Sequence, residues 1–205
     1  MLKKLKRLLK DLFGKKDEIK LGIYGPPNTG KTTLANRISK EFTGEEMGSA
    51  SEVPHETRVV QKKEKVRLQS DGKEISMNLL DMPGISTKVD YKEFVDHGID
   101  EEEAKVRSKE ATKGVVEAIK WLDKVDAVLV VFDSTNNPYT QVNVTILGNL
   151  EAKDIPIILV ANKTDLDDAE PESIQDAFPQ YNFTEISAKE NENMANLYKK
   201  IIESV

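Results

Sequence analysis

The segment Gly25-Pro-Pro-Asn-Thr-Gly-Lys-Thr32 constrains the fold of this chain more than any other part of the sequence. It fits the pattern G-x-x-x-x-G-K-[ST] and lies between an apolar stretch, Ile19 to Tyr24, and a helical pattern from Leu34 to Phe42. In that context the loop N–H groups and the helix N-terminus can surround phosphate groups, although a glycine-rich turn that only joins a strand to a helix is the alternative. The segment predicts a phosphate-binding loop in an α/β domain.

The rest of the chain alternates strand and helix patterns, with Ser70-Asp-Gly-Lys73 as a hairpin turn between two strands. A mostly parallel six-stranded sheet with one antiparallel strand and helices on both faces is the predicted architecture, a three-layer α/β fold. The predicted strands after the first cover 58–69, 74–80, 127–132, 155–161 and 182–186, and the predicted helices cover 101–123, 140–150, 172–178 and 194–205.

A length of 205 residues, with 38% hydrophobic and 32% charged residues, suits one folded domain. The chain has no cysteine, which excludes disulfides and thiolate chemistry, and neither a signal-peptide pattern nor a long apolar run is visible. We therefore expect a cytoplasmic protein. Its expected organisation is a basic helix over residues 1–16 followed by one domain over residues 17–205.

The first sixteen residues combine seven basic side chains and one acidic side chain, a net charge of +6, whereas the whole chain has −6. Their apolar residues recur at helical spacing, which predicts a basic amphipathic helix. Such a helix is suited to peripheral contact with an anionic membrane surface. Packing on its own domain, docking to a protein partner and contact with nucleic acid are the alternatives. The apolar positions are Leu2, Leu5, Leu8, Leu9, Leu12 and Phe13.

Two motifs bear on a triphosphate and its metal. Lys31 can reach the β- and γ-phosphates, and the hydroxyl of Thr32 can bind Mg²⁺. Asp81-Met-Pro-Gly84 follows a predicted strand, so that Asp81 can hold Mg²⁺ through water and the Gly84 N–H can contact a γ-phosphate. The second motif is short enough to occur by chance.

Asn162-Lys-Thr-Asp165 follows the next buried strand pattern, and its carboxylate can accept two N–H bonds that guanine offers and adenine does not. An ordinary turn is the alternative, because Asn and Asp favour turns. Ser187-Ala-Lys189 follows the strand after that and places small residues and N–H groups near the same base. All four motifs stand in order at carboxyl ends of predicted strands, where open α/β sheets bind ligands. Together they predict a site for GTP or GDP.

From Lys20 to Val205 the chain resembles translation-factor-class P-loop GTPases, and within them the Era- and TrmE-like group. The likeness rests on Pro27-Asn28, on the pair Thr57-Arg58 and on Asp81-Met-Pro-Gly84 followed by an apolar residue. The resemblance implies a Ras-like G domain that binds and hydrolyses GTP. The expected nucleotide contacts are Gly25, Pro27, Asn28, Thr29, Gly30, Lys31, Thr32, Thr33, Asp81, Gly84, Asn162, Lys163, Asp165, Ser187, Ala188 and Lys189.

By the same resemblance, Thr57 is the candidate switch threonine that joins Thr32 and Asp81 around Mg²⁺. The hydroxyls of Thr43, Ser49 and Ser51 in the same predicted loop are its rivals. The expected catalytic groups are Asn28, Lys31, Thr57 and Gly84. His55 lies nearby but is interpreted as a surface residue.

Ras-type enzymes orient the attacking water with a glutamine directly after D-x-x-G, and here that position is Ile85. An aliphatic side chain cannot hydrogen-bond water, so slow intrinsic hydrolysis is expected. Some Era- and TrmE-like relatives bind K⁺ through the asparagine equivalent to Asn28, which implies K⁺ or a partner as stimulator. A role for Asn28 in shaping the loop alone is the alternative.

The stretch Ser86 to Asp100, with Tyr91, Phe94 and His97, is interpreted as a surface that reads partners, or as a tethered lid. Three function classes remain: a switch that recruits an effector protein, a ribosome- or RNA-assembly GTPase, and a nucleotide-binding module with negligible turnover. RNA is the less favoured partner, because the sequence after the last helix leaves no room for the RNA-binding domain of Era. The resemblance also implies a nucleotide-dependent dimer.

Overall fold

The structure, a computed structural model, describes residues 18–47, 59–70, 72–86 and 90–204. The predicted helix over 1–16 lies outside these residues. So do Thr57 with the adjacent Arg58, Ser49, Ser51 and His55, and those predictions are not tested by the structure.

The described residues form a six-stranded sheet of order β2-β3-β1-β4-β5-β6. All neighbouring strands are parallel except β2 and β3, which are antiparallel, as the sequence predicted. The strands are β1 Ile19–Tyr24, β2 Gln61–Ser70, β3 Lys73–Asp81, β4 Ala127–Asp133, β5 Ile157–Asn162 and β6 Asn182–Glu185. The helices are α1 Lys31–Thr43, α2 Tyr91–Asp96, α3 Glu101–Trp121, α4 Gln141–Glu151, α5 Pro171–Ala177 and α6 Met194–Ser204.

Alternate residues of the central strands enter two separate cores, because neighbouring side chains of a strand point to opposite faces. Leu21 and Ile23 of β1 pack into the core that α1 and α6 cover. Tyr24 of the same strand belongs to the opposite core with Ala118 of α3, whose carbonyl accepts its hydroxyl at 3.1 Å. The sheet is thus covered on both faces, which leaves its carboxyl edge for the loops.

Helix α3 buries the face that its helical spacing predicts, Ala111, Val115, Ile119 and Leu122, at all but one position. Ala111 and Leu122 are buried and Val115 packs against the core, but Ile119 is 45% exposed while its neighbour Ala118 is fully buried. A small residue allows the helix to lie close to the sheet. Ala118 therefore faces the sheet, although Ile119 is the more hydrophobic of the two.

Two segments that looked irregular in sequence are helical. Thr43 ends α1 instead of entering a loop, and its hydroxyl donates to the Ser39 carbonyl at 2.8 Å. Helix α2 lies within the presumed loop 86–100. It begins at an N-cap, Asp90, and buries Phe94 against α3. Phe94 is therefore a structural residue and not part of a surface that reads partners.

Candidate functional site

The loop between β1 and α1 runs along the carboxyl edge of the sheet. Gly30 has φ 89° and serves as the N-cap of α1, and a Cβ there would come within 2.2 Å of Asn162 Nδ2. Thr29 is buried, and its hydroxyl donates to the Pro26 carbonyl at 3.2 Å. The first N–H groups of α1, those of Lys31, Thr32 and Thr33, have no acceptor inside the helix and can bind an anion.

Lys31 extends back over this loop. Its Nζ donates to the Pro26 carbonyl at 2.5 Å, and the residue is 6% exposed. Burial lowers the pKa of Lys31 to about 8, while the charge of Asp81 opposes that shift. A buried ammonium group at the mouth of the loop is the group that a polyphosphate needs as its counter-charge.

Asp81 ends β3 beside the loop and is fully buried. Its Oδ2 accepts from the Thr32 hydroxyl at 2.7 Å, whereas its Oδ1 has no hydrogen-bond partner in the described structure. Burial raises the pKa of Asp81, and the hydroxyl of Thr32 and the ammonium of Lys31 oppose that effect. A buried carboxylate oxygen without a partner, next to a hydroxyl, matches the oxygen donors that Mg²⁺ takes.

The residues after Asp81 lie against the same loop. The Ile85 N–H donates to the Gly25 carbonyl at 3.1 Å. A Cβ on Gly84 would lie 3.0 Å from Pro27 Cα and Pro27 N, so only glycine permits this approach without movement of the loop. The Ile85 side chain is 7% exposed and packs into the core that contains Tyr24, away from water.

Asn28 is exposed and has φ 60°, a left-handed conformation that asparagine tolerates better than most residues. Its position accommodates both interpretations made from the sequence, a loop-shaping residue and a cation ligand.

Asn162 joins three loops. Its Nδ2 donates to the Thr29 carbonyl at 2.9 Å, and its Oδ1 accepts from the Ala188 N–H at 3.0 Å. Both halves of the amide are therefore engaged within the protein, in a residue that is 3% exposed. The Asn162 amide thus positions the loops, and its contact with a nucleotide stays a prediction.

The carboxylate of Asp165 is held by Ser187, whose hydroxyl donates to Oδ1 at 2.6 Å. The same Ser187 oxygen accepts from the Glu190 N–H at 3.0 Å. This arrangement keeps the carboxylate next to the Ser187-Ala188-Lys189 segment, which is compatible with the predicted sharing of one base by the two elements.

Two further residues support the base loops and were missed in the sequence. Asp133, the last residue of β4, accepts from Lys163 Nζ at 2.5 Å. Arg37 of α1 donates to the Ala188 and Lys189 carbonyls at 3.1 and 2.7 Å. The position of Asp133 at the end of a buried strand was a usable signal, whereas nothing in the sequence singled out Arg37.

Comparison with known proteins agrees with this geometry. The family model described as 50S ribosome-binding GTPase matches residues 20–163. GTPase Era of Alkaliphilus oremlandii is 33% identical over 190 residues, which are 88% of this chain and 54% of Era. The tRNA modification GTPase MnmE of Pseudothermotoga lettingae is 34% identical over 188 residues, which are 91% of this chain and 35% of MnmE.

Among solved structures, an Aquifex aeolicus Era variant bound to GDP.AlF4- superimposes with a TM-score of 0.68 at 22% identity, covering 91% of this chain and 56% of that one. Era in complex with MgGDPNP and a 16S ribosomal RNA fragment gives the same TM-score, with 90% and 56% covered. The fold is thus that of Era, and the chain spans about half of Era's length. No helix in the described ranges is long and apolar enough to cross a membrane.

Proposed function

The chain belongs to the 50S ribosome-binding GTPase family, in its Era- and TrmE-like group, and from that membership we propose that it works as a guanine-nucleotide switch. In this proposal it binds GTP with Mg²⁺, hydrolyses it slowly, and recruits an effector protein in the GTP-bound state. The observation that carries the proposal is the joining of the phosphate loop to both base loops through Asn162.

Guanine selection is proposed for Asp165. Its carboxylate accepts N–H groups, so it suits the N1–H and 2-amino group of guanine and leaves adenine without a matching pair. The Ser187 hydroxyl donates to one oxygen of that carboxylate and so limits its rotation. We propose that the Ala188 and Lys189 segment and Lys163 contact the base from either side.

At the phosphates, Lys31 would exchange the Pro26 carbonyl for phosphate oxygens. The N–H groups of the loop and of Thr32 and Thr33 would donate to the same group. Mg²⁺, when bound, neutralises phosphate charge, and Thr32, Asp81 and Thr57 are the residues that would hold it. The free Oδ1 of Asp81 supports this assignment.

For hydrolysis, Ile85 offers no group that orients water, and its burial keeps it away from the phosphates. We propose that turnover depends on K⁺ held by the exposed Asn28, or on a partner, and that Gly84 moves with the γ-phosphate. The direct test is multiple-turnover phosphate release from GTP, with ATP as the control substrate. GDP and ADP titrations by calorimetry test binding separately, and equal affinity for both would refute guanine selection.

Other proposed partners derive from the basic segment 1–16 and from relatives. Peripheral membrane contact predicts that anionic vesicles co-sediment with the full chain but not with a chain that lacks residues 1–16. Nucleotide-dependent dimerisation predicts a larger mass in light scattering with a GTP analogue than with GDP.

Ribosome or RNA assembly is a second candidate, favoured by the description of the matched family and by the Era complex with ribosomal RNA. Salt-dependent binding to a 16S RNA fragment tests it. An affinity no greater than that for an unrelated RNA of equal length would refute it.

A further inference from the structure

A cleft of about 370 Å³ opens beside the guanine loops, between the segment after β4 and the segment before α5. We call it the β4–α5 cleft. The proposed nucleotide contacts include none of its lining residues. Those used below are Ser134, Thr135, Asp168 and Glu170.

The β4–α5 cleft is acidic and rich in acceptors. Asp168 and Glu170 line it, and neither carboxylate forms an ion pair in the described part of the chain. None of its described lining residues is basic. Ser134, which also lines it, is 1% exposed, and its hydroxyl has no hydrogen-bond partner among the described residues. A buried hydroxyl without a partner is uncommon, and a ligand in the cleft would supply one.

The chemistry of the lining favours a guanidinium group over a metal ion. A guanidinium has five N–H donors and no acceptor, which complements carboxylate, hydroxyl and amide oxygens. The volume admits that group with part of its methylene stem. The described residues contain no group of three or more Asp, Glu, His or Cys side chains that could hold a metal.

The cleft is connected to the guanine loops through short hydrogen bonds. The Ser134 N–H donates to the Asn162 carbonyl at 3.0 Å, and the Ser134 carbonyl accepts from the Glu170 N–H at 2.8 Å. Thr135 donates from its N–H and its hydroxyl to Asp133 Oδ1, at 3.1 and 2.8 Å. Asp133 is the carboxylate that holds Lys163. A ligand that moves Ser134 or Thr135 therefore acts on both Asn162 and Lys163.

We propose that the β4–α5 cleft binds an arginine side chain of a partner protein and that its occupation changes the rate of guanine-nucleotide release. The binding depends only on the cleft. The effect on release rests on the proposed function.

The binding test is a titration of the full chain, labelled with ¹⁵N, with a short glycine- and serine-rich peptide that contains one arginine. We expect saturable shifts of the Ser134, Thr135 and Glu170 amide signals. The Asp168→Asn, Glu170→Gln double variant should weaken binding by about tenfold, because it removes charge-assisted hydrogen bonds. A matched double variant, Asp167→Asn with Glu172→Gln, makes the same change in net charge at exposed residues outside the lining. Equal losses in both would overturn the site in favour of general attraction to an acidic protein.

Ser134→Ala separates a ligand role from a structural one. Because the hydroxyl has no partner, its removal should leave the unfolding midpoint unchanged, yet it should weaken peptide binding by about threefold. Unchanged binding would overturn the role of Ser134. A lysine peptide that binds as tightly as the arginine peptide would overturn the guanidinium assignment, and equal affinity of free arginine amide would overturn the assignment to a partner segment.

The release test measures the rate at which a fluorescent GDP analogue dissociates from the chain in the presence of saturating arginine peptide. A change of threefold or more in the release rate, absent from the Asp168→Asn, Glu170→Gln variant, supports the linkage, and an unchanged rate overturns it. If the chain fails to bind GDP at all, the proposed function fails, while the peptide titration still decides whether the cleft is a site.

Discussion

Asn162 Nδ2 donates to the Thr29 carbonyl at 2.9 Å and thereby ties the loop after β5 to the phosphate loop. The Asn162 side chain can come this close because Gly30 has no Cβ at the point of contact. The other half of the amide holds Ala188. One side chain therefore sets the distance between the loop assigned to the phosphates and the two loops assigned to the base.

Asn162→Ala should damage both stability and nucleotide affinity. It leaves the buried Thr29 carbonyl and Ala188 N–H without their partner, which costs about 2 kcal/mol or more in the free energy of unfolding. Urea unfolding and GDP calorimetry measure the two effects. The control is Asn149→Ala, which removes an exposed amide that bonds only within α4 and should change stability by less than about 0.5 kcal/mol. Equal effects of the two variants would contradict the bridging role.

Asp165→Asn should reverse base selection. The amide offers a donor where the carboxylate offered an acceptor, so GDP affinity should fall by about three orders of magnitude. Xanthosine diphosphate has an oxygen in place of the guanine 2-amino group and should bind the variant better than the parent. Competition against a fluorescent nucleotide measures both. An unchanged GDP affinity, or xanthosine diphosphate that binds the variant no better than the parent, would contradict the contact between Asp165 and the base.

Ile85→Gln should not create a faster enzyme. The side chain at this position points into the apolar core and not toward the phosphates, so a glutamine would be buried without a partner. We expect the free energy of unfolding to fall by about 2 kcal/mol and GTP turnover to stay equal or decrease. Ile85→Val is the packing control and should cost about 1 kcal/mol. An increase in turnover with Gln would show that residue 85 reaches the attacking water.

Phe94→Ala should loosen α2 while sparing the nucleotide site. Phe94 packs with Ala104 and Ala111 in a small cluster that is separate from the two main cores. Truncation of a buried phenylalanine costs about 3 kcal/mol, and here the cost should appear as local opening of α2. Hydrogen exchange of the α2 amides should accelerate while GDP affinity changes less than about twofold. The exposed neighbour Val95 provides the control in Val95→Ala.

The number of strands, the single antiparallel pair and the positions of the loop motifs were predictable because each depends on local patterns and on the edge at which parallel strands end. Arg37 and Asp133 were not predicted, since their partners lie far away in the sequence and are brought near only by the packed sheet. In α3 the predicted core position of Ile119 was wrong for a related reason. The distance between helix and sheet decides whether Ala118 or Ile119 is buried, and the hydrophobicity of the two residues does not predict that distance.

Potassium dependence is the prediction that decides how the proposed site, which has no catalytic glutamine, would hydrolyse GTP. Asn28 is exposed in a left-handed conformation on the phosphate loop, where its side-chain oxygen can coordinate a monovalent cation. A cation there would offset charge that develops during phosphoryl transfer, the role that an arginine finger has elsewhere. We expect GTP turnover in KCl to exceed that in NaCl at equal ionic strength by about tenfold, with Asn28→Ala abolishing the difference. Asn28→Gly is the backbone control, because glycine adopts the same positive φ without the side chain and so separates loop shape from coordination. Retained potassium stimulation in Asn28→Gly would assign Asn28 to the shape of the loop alone.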